Sequence, residues 1–66
     1  MGIILNGQPR ELVAPTTVAE LLERLEIGRE RVAVMINGRI IRKESFEAES
    51  IQDGDAVEVV HMVGGG

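Results

Sequence analysis

Apolar and polar positions along the chain fall into two periodicities. Val18, Leu21, Leu22 and Leu25 recur at i, i+3, i+4 and i+7, which puts them on one face of a helix within "TTVAELLERLEIG". Thr17 is a natural N-cap, Glu20 three places on completes a capping box, and Gly28 is a plausible C-terminal stop. Glu23 and Arg24 then lie on the wet side. Elsewhere the apolar runs are of strand length and are broken by turn residues. "GIILNGQPRELVAP" reads as two short strands around Asn6-Gly7, since Asn-Gly supplies the positive φ angles of a hairpin turn. Pro9 sits at the start of the second strand, where a missing N–H is tolerated, and Pro15 ends that strand. "RVAVMINGRIIRKE" repeats the pattern, with residues 32–36 and 39–43 flanking Asn37-Gly38. "ESFEAESIQ" is irregular with room for one short helical turn, "DGD" at 53–55 is a tight turn, and "AVEVVHMV" is the last strand.

The predicted order is strand, strand, helix, strand, strand, strand. A hairpin cannot bury its apolar face alone, and the leucine face of the helix is the obvious cover. The first and last strands, joined through the helix-containing crossover, become parallel neighbours. The expected fold is therefore α+β, a β-grasp (ubiquitin-like) domain: a mixed five-stranded sheet packed against one helix. Residues 1–63 form that domain, and residues 64–66 are expected to be a flexible glycine tail. Along the last strand Val57 and Val59 should face the helix, which sends Val60 and Met62 to the open face of the sheet.

Composition narrows the function. A chain of 66 residues is one domain at most. With 44% hydrophobic and 27% charged residues it is too apolar to be disordered. Phe46 is the single aromatic residue, so the core must be largely aliphatic. A net charge of −4 argues against nucleic acid and against an anionic membrane as partners. The absence of cysteine removes disulfides and thiolate metal sites, and any sulfur the protein handles cannot ride on a cysteine. No apolar run approaches the roughly 20 residues of a membrane span, and no signal peptide is visible, so the cytoplasm is the expected location.

Enzymatic groups are scarce. His61 is the only histidine, and Glu58, three places away on a strand, belongs to the opposite face. The carboxylates Glu44, Glu47, Glu49, Asp53 and Asp55 fall in loops, where solvation and turn chemistry account for them. Ser45 and Ser50 have no partner at catalytic spacing. Arg39, Arg42 and Lys43 form a small basic spot that reads as a wet strand edge. "GGG" is not a phosphate cradle, because such a loop must lead into a helix N-terminus.

The final "VGGG" offers another chemistry. Gly66 ends in a carboxylate with no side chain beside it, and Gly64 and Gly65 have no Cβ to keep the backbone out of a narrow channel. Four extended residues from Val63 reach about 13 Å. A carboxylate is a poor electrophile until it is coupled to the α-phosphate of ATP; a sulfur nucleophile can then displace AMP. Ordering three glycines in a channel costs roughly 3–6 kcal/mol. Burying Val60 and Met62 against a partner offsets this by roughly 3–6 kcal/mol. Val60, Met62 and Val63 are therefore the expected docking residues, and Gly66 the reacting one.

"ILNGQPREL", "TTVAELLERL", "VAVMINGRII", "QDGDAVEVV" and the terminal "VGGG", in that order and over essentially the whole chain, resemble the ThiS family, sulfur-carrier proteins of thiamin (thiazole) biosynthesis. The resemblance implies a protein co-substrate rather than a catalyst. It implies that Gly66 is adenylated by an activating enzyme of the ubiquitin-activating kind, with ATP used by that partner and no cofactor or metal bound by the carrier itself. It further implies a persulfide-bearing sulfur donor, a C-terminal thiocarboxylate, and thiazole synthase as acceptor. Gly65 and Gly66 match the family's Gly-Gly, and Gly64 is an additional glycine before it. The alternatives are the small subunit of molybdopterin synthase, which presents the same thiocarboxylate to a different acceptor, and a β-grasp binding or regulatory module with an idle tail. The short loop at residues 44–52 favours the thiazole branch over the first.

Overall fold

The computed structural model describes residues 1–62. The expected glycine tail at 64–66, together with Val63, lies outside the described residues.

Among the described residues seven strands and one α-helix follow in the order β1 (Gly2–Leu5), β2 (Gln8–Glu11), β3 (Thr16–Thr17), α1 (Val18–Arg24), β4 (Val32–Ile36), β5 (Arg39–Ile41), β6 (Ser50–Ile51) and β7 (Ala56–His61). Five of them make the mixed sheet, in the order β2-β1-β7-β4-β5. β1 and β7 are parallel, in register at Ile4↔Ala56 and Leu5↔Val57, while β7 runs antiparallel to β4 along its length. β7 is thus the middle strand, with neighbours on both sides. Both hairpins turn through Asn-Gly with φ positive at each central residue: 50° and 83° at Asn6-Gly7, 52° and 81° at Asn37-Gly38. That is the turn whose twist matches the flanking strands.

Helix α1 starts as its sequence predicts. The Thr17 hydroxyl accepts from the Glu20 N–H, and the Glu20 carboxylate accepts from the Thr17 N–H. Its end differs from expectation. The helix stops before Gly28, and Glu26 takes the left-handed position at φ 58°. The Ile27 N–H then reaches the Leu22 carbonyl at 2.9 Å and the Glu26 N–H the Glu23 carbonyl at 3.0 Å. This is a Schellman closure with glutamate where glycine is usual. Gly28 has an ordinary φ of −70° and leads instead into a short 3₁₀ turn, Arg29–Arg31.

The core lies between the sheet and α1. Val18, Leu21 and Leu22 from the helix meet Ile3, Val32, Val34, Ile36, Ile41, Val57 and Val59 from the sheet. Leu25 packs against this cluster while partly buried. Phe46 is fully buried and heads the largest such side chains. It sits just after a 3₁₀ turn, Lys43–Ser45, and its carbonyl accepts from the Ala19 N–H, so the irregular segment is pinned to the start of the helix.

Three further differences from the predicted elements are local. The strand after Asn37-Gly38 ends at Ile41, because Arg42 and Lys43 turn into the 3₁₀ segment. The second strand ends at Glu11, well before Pro15, whose peptide bond with Ala14 is cis. A separate two-stranded sheet, β3 with β6, pairs Thr16 with Ile51 and Thr17 with Ser50. Its strands are two residues each, too short to leave a period-2 signature. Thr16 is completely buried, and its hydroxyl is satisfied by donating to the Val13 carbonyl.

Candidate functional site

Alternation along β7 divides its residues between the two faces of the sheet. Val57 and Val59 are buried under α1, at 1% and 6% exposure. Ala56, Glu58 and Val60 point the other way and are exposed. Val60 is 51% exposed, and Met62, next in the same alternation, is 54% exposed. Both expected docking residues that fall within the described chain therefore lie on the open face. Val63, the third, lies outside it.

Register extends this face across the sheet. Val60 stands opposite Ala33, and Glu58 opposite Met35, which is itself opposite Ile40 on β5. On the other side of β7, Ala56 is beside Ile4, which is opposite Pro9 on β2. Ile40 is 69% and Ile4 42% exposed. Exposed apolar side chains thus lie on this face of β2, β1, β7 and β5, with Ala33 and Met35 of β4 partly buried between β7 and β5. The sequence reading found only the part of it on β7. Ile4, Met35 and Ile40 were hidden because their membership depends on strand order and register, and the one available signal was the alternation within each strand.

The strand that leads to the chain end is firmly held. The Asn6 side chain accepts from the Val59 N–H at 2.8 Å and donates to the Val59 carbonyl at 3.3 Å. Asn37 accepts from the Ala56 N–H at 2.9 Å and donates to the Asp55 carboxylate at 3.0 Å. Each Asn-Gly turn thus shapes its own hairpin and ties β7 as well. Beyond the end of β7, the Met62 N–H donates to the Arg31 carbonyl at 2.8 Å, so backbone pairing reaches the last described residue.

Most of the remaining charged candidate groups are occupied in structural roles. His61 is opposite Val32 and is exposed, and its alternation puts it on the other face from Glu58, so the two do not meet. Arg39 pairs with Glu49 at 3.2 Å and Arg42 with Glu44 at 3.5 Å, while Lys43 donates to the Glu30 carbonyl at 2.8 Å. The basic spot is a wet edge, as its sequence suggests. Asp53 accepts from the Gly2 N–H, and Asp55 from the Gln52 N–H, both at 2.8 Å. Those carboxylates shape the turn before β7, which Gly54 completes at φ 87°. Glu47 pairs with Arg29 at 3.6 Å. An open depression of about 300 Å³ beside the first hairpin is lined by Leu5, Asn6, Gln8, Pro9 and Arg10, a set with neither nucleophile nor general base. Among the described residues no cluster of three or more His, Cys, Asp or Glu is placed to hold a metal ion, and no helix is long and apolar enough to cross a membrane.

Comparison with known proteins bears on what such a face and chain end do. The model of the ThiS family matches residues 3–66. The chain is 35% identical over 66 residues to the sulfur carrier protein ThiS of Escherichia coli K12, covering the whole of both chains. It is 41% identical over 66 residues to a thiazole synthase of Magnetococcus marinus, and it spans 20% of that protein's length. A thiazole synthase of Paramagnetospirillum magneticum is matched in the same way, at 38% identity and again over 20% of its length. The crystal structure of the thiamine biosynthesis protein ThiS from Geobacter metallireducens superposes with a TM-score of 0.87 at 38% identity, over the whole of both chains.

Proposed function

The chain belongs to the ThiS family, and from that premise we propose that it is a sulfur carrier of thiamin biosynthesis, acting in the cytoplasm as a protein co-substrate rather than as a catalyst. The observation that carries this reading is the extent of the family match, which runs through residue 66 and so includes Gly65 and Gly66.

In the proposed cycle the Gly66 carboxylate attacks the α-phosphorus of ATP in the site of an adenylating enzyme. Pyrophosphate leaves, and an acyl-adenylate remains. The terminal sulfur of a persulfide on a donor protein then attacks the acyl carbon. AMP leaves, and the product is an acyl disulfide. A thiol attacks the donor's sulfur of that disulfide, which releases the Gly66 thiocarboxylate and leaves a disulfide between thiol and donor. The thiocarboxylate sulfur is passed to thiazole synthase. Two proteins named thiazole synthase hold, within a fifth of their length, a stretch similar to this entire chain. A carrier-like segment in one polypeptide with that enzyme supports the same enzyme as the acceptor here.

The chain's own contribution is presentation. Val60 and Met62, with Val63 beyond them, dock the partner, while Gly64 and Gly65 lead Gly66 into its active site. The rest of the domain keeps β7 in place through its two neighbouring strands and the Asn6 and Asn37 side chains.

Adenylation is tested by ATP–pyrophosphate exchange with the organism's own adenylating enzyme. Exchange is expected with the full chain and not with a chain lacking residues 64–66, because removal of Gly66 alone leaves a Gly64-Gly65 end. Labelled sulfur from a persulfide donor should then appear in the product of thiazole synthase. Exchange that is equal with and without residues 64–66 would rule this function out.

A further inference from the structure

Glu58 is a charged side chain set among apolar ones on the open face. Glu58 lies mid-way along β7, the middle strand, with Met35 opposite it on β4 and Ile40 beyond. On its own strand it is flanked on the same face by Ala56 and Val60. Most other carboxylates are engaged. Glu11, also on this face, lies 3.8 Å from the Met1 amine, and Glu44, Glu47 and Glu49 have arginine partners. Among the described residues the Glu58 carboxylate has neither an ion pair nor a hydrogen bond.

We propose that the adenylating enzyme presents a cation, an arginine in an otherwise apolar surface, opposite Glu58, and that this pair selects the partner that docks on the open face. The inference rests on the docking role given above to Val60 and Met62. Glu58 is about 7 Å from Val60 along the strand. A stable protein interface covers about 800 Å² on each partner, a patch roughly 30 Å across. A footprint that takes in Val60 and Met62 therefore takes in Glu58. Removing an unpaired carboxylate from water is strongly unfavourable, and a buried charge is tolerated only when paired and hydrogen-bonded. The guanidinium fork matches a carboxylate in two hydrogen bonds and gives up its hydration more readily than an ammonium does. A wholly apolar partner surface would be rejected at Glu58, so the residue sorts partners as well as holding them.

The test is ATP–pyrophosphate exchange with the organism's adenylating enzyme, run with the full-length chain at several salt concentrations. Glu58→Gln should raise KM for the carrier about tenfold or more and leave kcat unchanged. Glu58→Lys should raise it further, and Glu58→Asp should recover part of the loss. The KM of the wild-type carrier should rise with salt more steeply than that of Glu58→Gln. Unchanged melting temperatures will show that the variants are folded. Val60→Asp in parallel reports on the face itself. If Val60→Asp raises KM and Glu58→Gln does not, the pairing is overturned and docking on this face stands. If neither variant changes KM, both are overturned. If the wild-type chain is not adenylated at all, the proposed function fails and takes the pairing with it.

Discussion

At Glu26 the backbone enters the left-handed region so that Ile27 and Glu26 can close the helix onto Leu22 and Glu23. A residue with a Cβ is strained there by about 1–2 kcal/mol, and glycine is not. Glu26→Gly is therefore expected to raise stability by about 1 kcal/mol, after allowing for the extra freedom of glycine in the unfolded chain; a urea denaturation midpoint above that of the wild type is the check. Asn6 is a second such position. Its amide makes two hydrogen bonds to Val59 in addition to shaping the turn. Asn6→Gly keeps the turn and removes both bonds, and should lower stability by about 1–3 kcal/mol in the same measurement. The hairpin role of both Asn-Gly pairs was legible in the sequence, because the positive φ requirement is local. The bonds from Asn6 to Val59 were not, since they join residues far apart in the chain whose proximity follows from the parallel pairing of β1 with β7. Glu26 was hidden for a different reason: glycine two residues later offered a cheaper stop, and the helix did not use it.

At the scale of elements, α1 and the segment after β5 share one core. The helix is only seven residues long and would not persist alone. Its capping box and its Val18, Leu21 and Leu22 contacts hold it on the sheet. Thr17→Ala should cost about 1 kcal/mol through the lost cap. Phe46→Ala should cost about 3–5 kcal/mol. A domain of this size has a total stability of about 3–10 kcal/mol, so the Phe46 variant should melt far below the wild type or fail to fold, as circular dichroism will show. The helix, both hairpins and the parallel β1–β7 pairing were readable from periodicity, caps and the need to cover an apolar sheet face. The β3–β6 pairing and the placement of Phe46 were not. Two-residue strands have no period, and a lone aromatic in an irregular stretch gives no sign of which way it points until the Ala19 N–H is seen to bond its carbonyl.

Over the whole molecule, the described core and the proposed chemistry involve different residues. Among the described residues the core runs from Ile3 to Val59, before the proposed docking residues Val60 and Met62. The direction in which those two point was legible, because burial of Val57 and Val59 fixes the alternation of β7. The width of the open face was not, because it depends on which strands flank β7. The glycine end, residues 64–66, is expected to be dispensable for folding and indispensable for sulfur loading, and tandem mass spectrometry tests both halves side by side. The full chain and a chain lacking residues 64–66, shown to melt at the same temperature, are each incubated with the adenylating enzyme, ATP and a persulfide donor. The account predicts that the full chain exchanges one oxygen for sulfur, with the sulfur located on Gly66, and that the shortened chain gains none. Sulfur found on any other residue, or gained equally by the shortened chain, would contradict it.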